Sequence, residues 1–178
     1  MTEKLGTEEV TSTMISLDTI KLAFLAAHLQ DLDCIAGDVS SAYIQAFTKE
    51  KVYTIAGPEF GPLAGRILII RKALYGLQTS GNAWHSKFAD DLYGMGFKPS
   101  KADADLWMRD RGDHYEYIGT FVDDLLIFSR NCQAIIELIT GKYGYKLKNV
   151  GPPEYYSGAD MSLNCDTGFW EMSAKTYI

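Results

Sequence analysis

The chain has 178 residues, 47% of them hydrophobic and 22% charged, which excludes disordered, collagen-like and disulfide-scaffold classes and suffices for a core in one domain or a two-lobed one. Seventeen basic residues against twenty-three acidic ones give a formal charge of −6, the opposite of the balance usual in phosphate-binding proteins, so net charge alone does not suggest nucleic acid. Cys34, Cys132 and Cys165 contain no Cys-x-x-Cys pair, no apolar run approaches the roughly 20 residues that span a bilayer, and the acidic N-terminus lacks the order of a signal peptide; a soluble, intracellular chain with reduced thiols, no zinc site and no membrane contact is expected.

Ser16 is a candidate N-cap, and Leu17, Ile20, Phe24 and Ala27 follow at helical spacing, predicting a first helix to about residue 28. Cys34, Ile35 and Ala36 read as a short buried strand that delivers Asp38 at or near its end. Segments 51–55 and 66–70 flank a Gly/Pro-rich turn and predict a hairpin. Ala83, Trp84, Phe88, Leu92 and Met95 define a helical face over about 82–95, closed by Gly94 and Gly96. On its polar side, Asp90 and Asp91 read as a solvated face.

Segments 106–108 and 115–121 read as strands around an Arg-Gly-Asp turn, and 125–128 reads as another strand after a two-residue Asp-Asp interruption. A helix over about 131–140 follows, and 155–163 can pair with 169–172. Strands with interleaved helices but short hairpin links predict an α+β fold, an antiparallel sheet with helices packed on one face.

The chemistry-bearing segment is Phe121-Val122-Asp123-Asp124-Leu125, where two adjacent acids interrupt an apolar β pattern. Such a pair persists either as a solvated hairpin turn or where a cation neutralises it, and the two readings are compatible. If the strand ending at Asp38 is a neighbour, a third carboxylate joins the site. Magnesium takes oxygen ligands, typically one or two carboxylates plus substrate phosphates, and a pair of such ions can promote in-line phosphoryl displacement.

Three motifs in order carry a resemblance. Asp38-Val39-Ser40-Ser41-Ala42-Tyr43 is similar to Asp-Val-x-x-Ala-Phe/Tyr. Lys72-Ala73-Leu74-Tyr75-Gly76-Leu77 followed by Ala83-Trp84 resembles Lys-Ala-Leu-Tyr-Gly-Leu-Lys-Gln-x-Pro-Arg-Ala-Trp-Tyr. Phe121-Val122-Asp123-Asp124 resembles the Tyr-Val-Asp-Asp box. From about Thr11 onward the chain resembles the reverse transcriptase domain of copia-type long-terminal-repeat retrotransposons.

The resemblance implies a polymerase palm with partial fingers: about 1–36 and 49–78 fingers-like, about 37–48 and 79–163 palm, and 164–178 the connection toward a thumb. It implies an RNA-directed DNA polymerase in which Asp38, Asp123 and Asp124 are catalytic and hold Mg2+, or Mn2+ in its place. The nucleotide site would include Tyr43 as a steric gate against ribose, Tyr75 and Gly76 in the pocket loop, and Lys148 near the pyrophosphate, although most exposed lysines are solvated surface charges. Tyr155 and Tyr156 would contact the primer. Implied partners are an RNA or DNA template with its primer, deoxynucleoside triphosphates, and the fingers, thumb and RNase H regions of the same polyprotein, in a cytoplasmic particle or the nucleus. The resemblance lapses at Gln78-Thr79-Ser80-Gly81-Asn82, which lacks the family's Lys, Arg and Pro. An inactive or co-opted palm is the alternative.

Overall fold

A computed structural model describes residues 14–174. It divides into two compact units, one formed by 41–90 and the other by 14–40 and 91–174 among the described residues.

The larger unit opens with helix α1 (Leu17–Leu29), started by Ser16, whose hydroxyl accepts from the Thr19 N–H at 3.2 Å. That is the N-cap the serine predicts, satisfying a donor the helix cannot satisfy itself. Strand β1 (Asp33–Val39) follows. After α3 (Ser80–Gly94) come β4 (Lys98–Pro99), β5 (Leu106–Asp110), β6 (Tyr115–Phe121) and β7 (Asp124–Ser129). The chain continues through α4 (Cys132–Glu137), capped by the Asn131 side chain and extended by a π-helical turn over Leu138–Lys142. Strands β8 (Leu147–Gly151), β9 (Tyr155–Tyr156), β10 (Ala159–Leu163) and β11 (Trp170–Ser173) complete the unit.

The strands form an antiparallel six-stranded sheet in the order β4-β5-β6-β7-β1-β8 and a three-stranded sheet β11-β10-β9. One core cluster joins Ile20, Ala23, Phe24 and Ala27 of α1 to Tyr117, Leu126 and Phe128 of the larger sheet and to Tyr156 and Met161 of the smaller one. Residues 14–36, assigned above to a fingers-like part, thus include a helix that packs on the sheet carrying Asp38. Leu125 and Ile127 are as buried as Leu126 and Phe128, so β7 is covered on both faces, as its unbroken apolar run requires. The α+β architecture agrees with the sequence reading. The long strand expected over 155–163 is split by a turn at Ser157 and Gly158, both at positive φ (48° and 84°), the backbone of a primed hairpin turn.

In the smaller unit, the four-residue helix α2 (Ala42–Gln45) leads to β2 (Phe47–Ile55), a 3-10 segment over Pro58–Leu63, and β3 (Ile67–Lys72). Strands β2 and β3 form the expected antiparallel hairpin as a two-stranded sheet. The three cysteines are free thiols. Among the described residues no helix is long and apolar enough to cross a membrane.

Candidate metal centre

Strand β1 lies between β7 and β8, and its register sets Asp38 opposite Asp124 on one side and opposite Lys148 on the other. Directly paired residues of antiparallel strands project to the same face, so Asp124, Asp38 and Lys148 form a row across three strands. Asp123 joins from the adjoining turn. Each of the three acids can offer one oxygen such that all lie within 4.8 Å of one another, and all three residues are half-buried. Like charges held opposite one another destabilise a sheet. The consequence is visible at Asp124, whose carboxyl is pushed up to about 6, first by burial and then by Asp123 and Asp38. A group of oxygens this close, partly desolvated and of one charge, has the chemistry of a hard divalent-cation site.

The turn differs from the expected Asp-Asp pair. Phe121 pairs with Asp124, so the two turn residues are Val122 and Asp123, and Asp124 is the first residue of β7. Val122 has φ 58°, a region that β-branched residues strongly avoid, at a cost of order 1–3 kcal/mol. Such a conformation persists only where surrounding structure over-determines it. Here the Val39 N–H donates to the Asp123 carbonyl at 2.8 Å, tying the end of β1 to the turn. This one-residue shift moves Asp124 into the sheet, opposite Asp38, and leaves Asp123 at the tip.

The other expected residues fall in different places. Lys148 is exposed beside Asp38, on a strand the sequence reading did not anticipate. In the smaller unit, Tyr43 and Tyr75 lie ring against ring, with centroids 4.3 Å apart. Gly76 has φ +94°, a conformation that favours glycine in the loop carrying Tyr75. Tyr155 is exposed but Tyr156 is 2% exposed, because successive strand residues face opposite ways. Of the two tyrosines expected to contact a primer, Tyr155 thus presents its side chain at the surface and Tyr156 turns inward. The Tyr156 hydroxyl instead faces the carbonyls of Gly119 and Asp124.

Two local features escaped the sequence reading. Thr79 donates from its N–H and its hydroxyl to Glu50 Oε1 at 2.8 and 2.6 Å, while Ser80 Oγ accepts from the Leu74 N–H at 3.0 Å and donates to the Leu74 carbonyl at 2.7 Å. The segment where the motif lapses thus braces the Tyr75-Gly76 loop; Thr-Ser ahead of a helix is the available signal. Asp91, read as solvated, is half-buried and accepts a hydrogen bond from the Tyr145 hydroxyl. A cavity of about 910 Å3 opens around Asp33, Cys34, Arg130 and Trp170, near the start of β1, and none of the three acids lines it.

A family model described as reverse transcriptase (RNA-dependent DNA polymerase) matches residues 3–178. The chain belongs to the reverse transcriptase family, in its copia-type retrotransposon branch. The domain is 34% identical over 92 residues, 51% of its length, to the "Retrovirus-related Pol polyprotein from transposon RE1" of Arabidopsis thaliana. It is 31% identical over 118 residues, 64% of its length, to the "Transposon Ty1-DR4 Gag-Pol polyprotein" of Saccharomyces cerevisiae. The matched stretches cover 6% and 7% of those two polyproteins, so the reverse transcriptase domain corresponds to a small part of each.

Proposed function

We propose that this domain is the catalytic palm of an RNA-directed DNA polymerase, with Asp38, Asp123 and Asp124 holding two Mg2+ or Mn2+ ions. The observation that carries the reading is the approach of three carboxylates from β1 and the β6–β7 turn to within 4.8 Å. When bound, the cations would lower the pKa of the primer 3′-hydroxyl and neutralise charge on the triphosphate. The protein's own part is positioning and charge. The acids fix where the 3′-oxygen and the α-phosphate meet; the hydroxyl gives up its proton to solvent, the new O–P bond forms as the α–β phosphoanhydride bond breaks, and pyrophosphate leaves with the electron pair. Lys148, in the same cross-strand row, is suited to balance the departing pyrophosphate.

Tyr43 as the sugar gate, Tyr75 and Gly76 as pocket residues and Tyr155 as a primer contact belong to the same proposal, as do the palm, fingers-like and connecting segments set out above. So do the partners: a primed RNA or DNA template, deoxynucleoside triphosphates and the remaining regions of a polyprotein, acting inside the cell in a particle or the nucleus.

The test is extension of an oligo(dT)-primed RNA template with Mg2+ or Mn2+, beside an Asp124→Asn variant of confirmed fold. Metal-dependent extension, reduced at least a thousandfold in the variant, is expected; that is ~4 kcal/mol of transition-state stabilisation. No extension by a folded wild-type chain would favour the co-opted palm, a reading supported by the uncharged Gln78-Asn82 segment.

A further inference from the structure

We propose that Tyr156 is a positioning residue for the carboxylate site, its hydroxyl holding the backbone of the β6–β7 hairpin that presents Asp123 and Asp124. The inference rests on the metal-site reading above. It starts from the turn: Val122 at φ 58° is a conformation the chain does not adopt unaided. The Val39 N–H restrains the turn from β1. From the smaller sheet, the Tyr156 hydroxyl lies 3.3 Å from the Gly119 carbonyl and 3.5 Å from the Asp124 carbonyl, one donor shared between two acceptors across the hairpin. The ring meets Phe121, the residue before the turn, with centroids 6.3 Å apart at 63°.

Packing alone does not call for a tyrosine here. Its neighbours in the core cluster include Phe24, Leu126, Phe128 and Met161, an environment a phenylalanine would fill, and a buried phenol must find an acceptor. The acceptors it faces are backbone oxygens of the catalytic hairpin. A Cβ at position 119 would lie 2.9 Å from Ile15 Cδ1 but 4.0 Å from the Tyr156 hydroxyl, so the glycine makes room for Ile15 and leaves the tyrosine contact undisturbed. Tyr155 and Tyr156 are consecutive in β9, one facing out and one facing the hairpin. A shift of the strand that presents Tyr155 would therefore reach the acids through Tyr156.

The experiment measures Mn2+ binding by electron paramagnetic resonance, with thermal stability recorded in parallel, for the wild type, Tyr156→Phe, Met161→Ala and Asp38→Asn. Met161→Ala removes a buried side chain of the same cluster, outside the carboxylate site. The expected result is Mn2+ binding abolished by Asp38→Asn and weakened about tenfold by Tyr156→Phe, while Met161→Ala binds normally despite a larger loss of stability. Wild-type affinity in a folded Tyr156→Phe, or weakening by Met161→Ala in proportion to its lost stability, would overturn the positioning role. If Tyr156→Phe does not fold, Phe121→Leu, which removes the ring that seats Tyr156 beside the turn, replaces it; normal Mn2+ binding there would likewise overturn the role. Binding unaffected by Asp38→Asn would instead bring down the metal-site reading, and this inference with it.

Discussion

The central strands of the six-stranded sheet and the β2–β3 hairpin are both rich in apolar residues, yet they differ in almost everything that follows. Ile118, Leu125, Leu126 and Ile127 are essentially inaccessible, whereas Tyr53, Ile55, Ile67 and Ile69, which share one face of the hairpin through the pairs Tyr53–Ile69 and Ile55–Ile67, are 57–72% exposed. Charge separates along the same line. Residues 41–90 hold six basic side chains and three acidic ones, a balance of +3, and the rest of the chain carries −9. A crowded carboxylate site needs a rigid support, since clustered acids work against the fold that holds them, and the buried sheet supplies it. The hairpin carries exposed apolar and cationic groups, the properties of a contacting surface. The overall negative charge, which argued against nucleic acid, is thus an average over two regions of opposite sign.

The comparison can be broken most directly by truncating one apolar residue in each region. Leu126→Ala, at the core and next to Leu125 on the strand that begins with Asp124, should lose about 2–5 kcal/mol in urea unfolding, the usual range for a buried leucine. Ile69→Ala, on the open face of the hairpin, should change stability by no more than about 0.5 kcal/mol. Equal losses would mean that the hairpin face is buried in solution.

A smaller effect sharpens the electrostatic half. The Asp124 carboxyl is raised to about 6 in the folded chain, against about 3.9 for an unfolded aspartate. The folded state therefore keeps a proton that the unfolded state releases between about pH 4 and 6, and stability falls as pH rises through that window. Below about pH 4 both states are protonated and the penalty vanishes. Asp124→Asn, which is always neutral, should stabilise the metal-free protein at pH 7 by on the order of 1 kcal/mol, allowing for solvent screening, and should give no gain at pH 3.5. Thermal melts at the two pH values decide it. A gain that is independent of pH would assign the effect to packing rather than to charge.

How much of this was legible in the sequence follows the same division between local and long-range causes. Helix α1 was readable because Ser16 and the spacing of Ile20, Phe24 and Ala27 are local signals, and the β5–β6–β7 meander because its strands are strongly apolar and closely linked. Strand β8 was not readable: Leu147-Lys148-Asn149-Val150-Gly151 has weak strand character and pairs because β1 offers it an edge, an instance of tertiary context overriding propensity. With β8 unseen, Lys148 could be named only by resemblance, without its place beside Asp38. The turn was misplaced by one residue because local rules put Asp-Asp in the bend, whereas the sheet register puts Val122 there at positive φ. Asp91 was misread for a similar reason: its partner, Tyr145, lies 54 residues away.

The smallest effect tests whether the hairpin's cations engage nucleic acid. Lys49 and Lys51 are exposed on β2, whereas Lys72 is occupied, lying 4.0 Å over the Phe47 ring and donating to the Gln45 carbonyl. Each phosphate contact removed should lower the slope of log affinity against log salt by about 0.7 for a single strand and 0.9 for a duplex. The double variant Lys49→Gln/Lys51→Gln should therefore reduce that slope by about 1.5 on a primed template, with a few-fold loss of affinity near 0.15 M salt. Lys21→Gln is the control, because Lys21 sits on α1 and pairs with Asp18 in the acidic part of the chain; it should leave the slope unchanged. If Lys21→Gln flattens the slope as much as either hairpin lysine does, binding responds to total charge and the local basic character of 41–90 has no role in it. If only the hairpin variants act, the phosphate backbone is held by the basic hairpin, a role separate from the cation site proposed for the acidic sheet.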